Sequence, residues 1–151
     1  VPFKSTRILV IYVALLVGCT SSNQSSIPEA DFYIQENSPF GLRVGDTVGI
    51  VARSAIDLVR FNLVQEDSRC PVDVECPQAG AAVILLTVQT ALNVQELQLD
   101  MPPDGEVTLE VQELTLVFTR LTPPAMDGVE IEQLQYQLIG RGFQSRDLNL
   151  P

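Results

Sequence analysis

The chain has 151 residues, 46% of them hydrophobic, with 19 acidic and 9 basic residues, a formal net charge of −10, no histidine and no tryptophan. That length supports one core and is short for two. The absence of histidine excludes imidazole acid–base catalysis and histidine metal ligation, the acidic balance opposes nucleic-acid phosphates and anionic lipid head groups, and no motif implies a cofactor.

Residues 1–18 have the layout of a secretory leader: Lys4 and Arg7 precede an apolar run from Ile8 to Val17 that is too short for the roughly 20 residues a spanning helix needs. The run ends in Leu16-Val17-Gly18-Cys19, which resembles the bacterial lipobox. That resemblance implies cleavage before Cys19 and acylation of its sulfur with palmitate-type chains, giving a membrane anchor in the cell envelope; Thr20 after the cysteine implies the outer membrane where the cell has one. An ordinary signal peptide, or an apolar anchor that happens to contain a cysteine, is the alternative. Beyond the leader, 9 − 2 = 7 bases face 19 acids, a net charge of −12. Every one of those bases is an arginine.

Residues 19–39 are polar and serine-rich, as suits a tether behind a lipidated cysteine, with Phe32 and Tyr33 as the first residues placed to dock. From Phe40 to residue 140 the pattern is that of short strands. Leu42 and Val44, then Val48 and Ile50, flank the turn pair Gly45-Asp46, and Val59, Phe61 and Leu63 alternate with polar residues. Ala81-Ala82-Val83-Ile84-Leu85-Leu86-Thr87-Val88 is apolar on both faces and predicts a central strand. Residues 92–99, 107–111, 114–121 and 129–138 follow, separated by Pro102-Pro103-Asp104-Gly105, Pro123-Pro124 and Asp127-Gly128. The fold class expected is all-β, an antiparallel sandwich, immunoglobulin-like or a related small barrel, with residues 141–151 as a loose tail.

The densest chemistry lies in Asp67-Ser68-Arg69-Cys70-Pro71 and on to Cys76. With Cys19 assigned to lipid, Cys70 and Cys76 remain as one pair in an exported protein, and a structural disulfide is expected; their spacing is not that of a thioredoxin-type redox motif. Asp67, Asp73 and Glu75 place hard oxygen donors around the pair, open to a calcium reading, to a carboxylate-dependent hydrolase, or to a solvated loop in which Asp67 caps amides and Arg69 pairs one acid. Ser54 and Ser68 lack a base, and Gly45-Asp46-Thr47-Val48-Gly49 departs from an aspartic-protease loop at Val48. Gln133, Gln135 and Gln137 are expected on one face of the last strand, as a solvent face or a hydrogen-bonding surface.

Asp67-Ser68-Arg69-Cys70-Pro71, with Val74, Cys76 and Ala79-Gly80, resembles the signature of a family of uncharacterised bacterial secreted proteins and lipoproteins; Leu114-Thr115-Leu116-Val117-Phe118 and Leu121-Thr122-Pro123 resemble its late strand. Pro77-Gln78 stands where that family often has an apolar residue and tryptophan. The resemblance implies a small β-domain and carries no activity. The functional expectation is a lipid-anchored, non-catalytic binding or structural module. Beside it stand the hydrolase and an inhibitor- or chaperone-like partner of an exported protein.

Overall fold

The computed structural model describes residues 29–53, 55–72, 74–103, 105–131 and 134–144. The leader, Cys19, Ser54, Asp73, Asp104, Gln133 and residues 145–151 lie outside them. The strands are β1 (Phe32–Gln35), β2 (Pro39–Arg43), β3 (Thr47–Ala52), β4 (Ala55–Asp67), β5 (Ala82–Gln89), β6 (Val94–Met101), β7 (Val107–Val111), β8 (Leu114–Thr122) and β9 (Gln137–Gln144). They form a five-stranded sheet, β1-β3-β4-β5-β6, and a four-stranded sheet, β2-β9-β8-β7. The protein is a two-sheet β-sandwich and does not close into a barrel.

Most pairs are antiparallel, as short connections require, and β1 alone pairs in parallel, with β3. The run that alternates around Gly45-Asp46 is therefore two strands in different sheets. Gly45 turns the chain with φ +96°, while Asp46 Oδ2 accepts the Arg43 amide at 2.9 Å, so this aspartate shapes a turn.

Inward residues of both sheets meet in one core, with Phe61 and Phe118 fully buried and Phe40 edge-on to Phe118 at 6.3 Å. Each phenylalanine contributes about 1.5–3 kcal/mol by leaving water. β5 sits between β4 and β6, with Ile84, Leu86 and Val88 buried, as its apolar sequence predicts.

Three local expectations come out differently. First, β1 and the start of β2 fall within the segment expected to be a tether. Asp31 ties the entry to β1 onto β3, since its amide donates to Thr47 O at 2.9 Å and its Oδ2 accepts the Thr47 amide. Second, a register shift between Phe61 and Leu63 breaks the alternation. Asn62 is the extra residue, bonded to Thr87 Oγ1 at 2.9 Å, so Leu63 turns outward and Val64 takes the inward place. Third, β9 starts only at Gln137 and runs to Gln144, into the expected loose tail. Its inward Gly142 lies where a Cβ would strike Ile50 of the other sheet, so glycine allows the two sheets to close there.

Candidate functional site

The segment at the end of β4 divides into three devices. Asp67 pairs with Ala82 of β5. Its carboxylate is met by Arg69 through two parallel bonds, Nε to Oδ1 at 2.8 Å and Nη2 to Oδ2 at 2.7 Å. The same guanidinium crosses to the other sheet, donating from Nη1 to Leu121 O at 2.7 Å and from Nη2 to Pro123 O at 2.9 Å. Tyr136 completes the group by donating its hydroxyl to Asp67 Oδ2 at 2.8 Å. The side chains of Arg69 and Asp67 are only 6% and 4% exposed, so this is a buried clamp between the sheets.

Burial pushes the Asp67 carboxyl up, but hydrogen bonds from Arg69 and Tyr136, with the Arg69 charge, outweigh it and hold the pKa below the ordinary value. Burial and the hydrogen bond to Asp67 push the Tyr136 hydroxyl up to about 12. Burial pulls the Arg69 guanidinium down, yet its bonds to Asp67 and that carboxylate's charge win, so its pKa is raised. Asp67 therefore exists as a carboxylate whose two oxygens accept four bonds, counting the Arg69 amide at 3.2 Å. With those directions taken, it is poorly placed to ligate calcium or to move a proton.

Ser68 forms the second device. Its amide and hydroxyl both donate to Ala81 O, at 3.0 and 2.7 Å, and its carbonyl accepts the Gly80 amide at 3.0 Å. Gly80 packs so closely on Ser68 that a side chain there would collide with it. The third device is the disulfide between Cys70 and Cys76, with Cα atoms 5.8 Å apart. It closes the tip of the β4–β5 loop and does not link the two strands; Ser68 and Ala81 fasten the base.

Glu75 is exposed on that loop, apart from the buried Asp67. Asp73, the third acid expected there, lies outside the described residues. Among the described residues no three acids or cysteines gather in a metal-holding group.

The side of the sandwich next to the clamp is open. β4 is 13 residues long, but β3 accompanies it only as far as Arg60. The space left beside Leu63, Val64 and Gln65 is a groove of about 770 Å³, walled also by Val44, Ile131, Leu134 and Tyr136, with Arg43 and Gln135 completing its lining. Val44 and Leu63 are 45% and 41% exposed. Within the segment 129–138 expected as strand, the described residues 129–131 and 134–136 lie outside any strand, and Ile131, Leu134, Gln135 and Tyr136 make this wall. Leu134 donates to Ile131 O in a turn, and Tyr136 is held by Asp67. Of the glutamines expected on one strand face, Gln135 lines the groove, Gln137 lies against Gly41 on β9, and Gln133 is outside the described residues.

Sequence reasoning missed Tyr136, which stands 69 positions from its partner, and it missed Asp57. Asp57 is buried at the opposite end of β4, where burial raises its pKa against a hydrogen bond with Gln144. An acid between apolar neighbours, Ile56 and Leu58, was the available signal. No protein-family model, curated protein or solved structure matches the chain.

Proposed function

We propose that the chain is a lipid-anchored module of the bacterial cell envelope, held by acyl chains on Cys19, whose β-sandwich binds a ligand and carries out no chemistry on it. The observation that carries the binding reading is the groove beside β4. Its volume of about 770 Å³ falls within the range of ligand sites, and aliphatic side chains dominate its walls. The anchor rests on the leader, in which Lys4, Arg7 and the apolar run precede Gly18-Cys19. The hydrolase reading draws less support, because the best-placed acid, Asp67, is committed to Arg69 and Tyr136.

Fractionation of cells expressing Cys19→Ser tests the anchor. The variant is expected in the soluble fraction, with the mature N-terminus of the parent carrying acyl mass; membrane retention of the cleaved variant would overturn it. A protein partner docked on the stapled loop is the second reading, favoured by Val72, which is 63% exposed within the loop that the disulfide closes. Affinity capture with and without reductant separates the two: partners lost on reduction favour the loop, and partners lost in Leu63→Asp favour the groove.

A further inference from the structure

We propose that the free edge of β6 pairs with β6 of a second copy of this chain, antiparallel about a two-fold axis at Leu97, so that two five-stranded sheets become one. Among the described residues the open edges are β1 and β6 in one sheet and β2 and β7 in the other. β1 has 4 residues; β2 and β7 have 5 each, and β2 begins with Pro39. β6 has 8, without proline or glycine, and its register on β5 runs unbroken from Ala82↔Met101 to Gln89↔Val94. Short edges, prolines and bulges are how sheets avoid strand addition, and β6 has none of them.

The phase of the β5–β6 ladder decides which groups this edge offers. The Thr90 amide donates to Asn93 O at 2.8 Å, so in the antiparallel alternation that follows, Gln95, Leu97, Leu99 and Met101 bond to β5. The backbone groups of Val94, Glu96, Gln98 and Asp100 therefore point away from the sheet. Asn93 Oδ1 caps the Val94 amide at 2.8 Å, and the amides of Glu96, Gln98 and Asp100 face outward beyond it.

Two symmetric registers satisfy all of those amides, and charge separates them. One sets Gln98 against Gln98 and Glu96 against Asp100, which puts acids face to face on both sides of the axis. The other sets Glu96 against Gln98 and Asp100 against Val94, so that no acid lies directly opposite an acid. In that second register Leu97, half-buried against the core, meets Leu97 of the second copy in a close, non-hydrogen-bonded pair, and the apolar layer continues across the axis. Glu96 also leans back over its own sheet, accepting the Asn62 side-chain amide at 3.3 Å. Such self-complementarity is what a two-fold interface requires, and a foreign strand has no need of it.

Sedimentation velocity of the complete chain with Cys19→Ser, which removes association through acyl groups, is expected to show a monomer–dimer equilibrium. It strengthens as salt screens the repulsion between two copies of net charge −10. Gln98→Pro deletes an edge amide that β5 does not use, so circular dichroism shows an intact fold while the dimer is lost. Gln98→Lys faces Glu96 of the second copy and tightens the dimer about fivefold, whereas Gln98→Glu faces the same acid and weakens it by a similar factor. Leu63→Asp, on the groove wall with β5 between it and β6, leaves the dimer unchanged, so failure of the groove reading and failure of the edge pairing are told apart. A monomer at concentrations up to about 1 mM overturns the proposal and leaves the edge to a foreign strand or to solvent. A dimer untouched by Gln98→Pro overturns it as well, and weakening by both Gln98→Lys and Gln98→Glu overturns the register.

Discussion

Asp67 and Arg69 are adjacent in sequence to the Cys70–Cys76 loop, but the two regions hold the molecule in opposite ways. The clamp is buried, unites both sheets and satisfies each of its polar groups. The loop is covalently closed and largely exposed, and its bond spans only six positions. The covalent link is therefore expected to be the weaker device for this fold. A disulfide restrains the unfolded chain in proportion to the loop it closes, and this loop is short. The clamp acts across the sandwich, and breaking it strands a charge on a side chain only 4% exposed.

Arg69→Met is the severest way to break the comparison. It leaves Asp67 buried without its cation, and a loss of about 3–5 kcal/mol in urea unfolding is expected. A loss under that of the cysteine variant would reverse the ranking of the two regions. Cys70→Ser with Cys76→Ser is next, costing roughly 2 kcal/mol, read as a shift in urea midpoint that reductant reproduces in the parent. Tyr136→Phe removes one hydrogen bond to a charged acceptor and costs about 1.5 kcal/mol. It should also reshape the alkaline limit. The parent Tyr136 has a raised folded pKa, so its contribution is complete below the unfolded value of about 10. It is lost as the pH climbs through the folded value of about 12.

Acid sharpens the same contrast. Asp67 has a lowered folded pKa, so its contribution is full above the unfolded value of about 3.9 and fades as the pH falls through the folded one. The acid unfolding limb should therefore flatten in Asp67→Asn, while the disulfide variant keeps the parent's slope. Smallest of all is Glu75→Gln on the exposed loop, for which no change in urea midpoint is expected; a clear destabilisation would mean that the loop acid takes part in structure.

The motif was readable in part. Cys70 and Cys76 could be paired by elimination, and Arg69 was expected to pair one of the loop's acids, though Asp67 was expected to cap amides. The other end of that pair was not readable, because Leu121, Pro123 and Tyr136 reach Arg69 and Asp67 only after the second sheet folds over the first. Strand positions followed from period-two hydrophobicity wherever one face met the core. They failed at β1, expected as part of the tether, at Leu63, where Asn62 adds a residue to the strand, and at Ile131 and Leu134, which pack against the core from outside any strand. Hydrophobic pattern reports burial, and both a strand and a well-packed loop are buried.

By itself the sequence determined an all-β chain with short strands, turns at its glycines and prolines, a disulfide, and an acidic character without histidine. Those are consequences of side-chain size, backbone freedom and charge, which each residue carries wherever it sits. The tertiary structure alone decided that β2 and β3 part into different sheets, that Asp67 is a buried strut, and that a groove opens where β4 outruns β3. These depend on distances between residues far apart in the chain, and no local pattern fixes such distances.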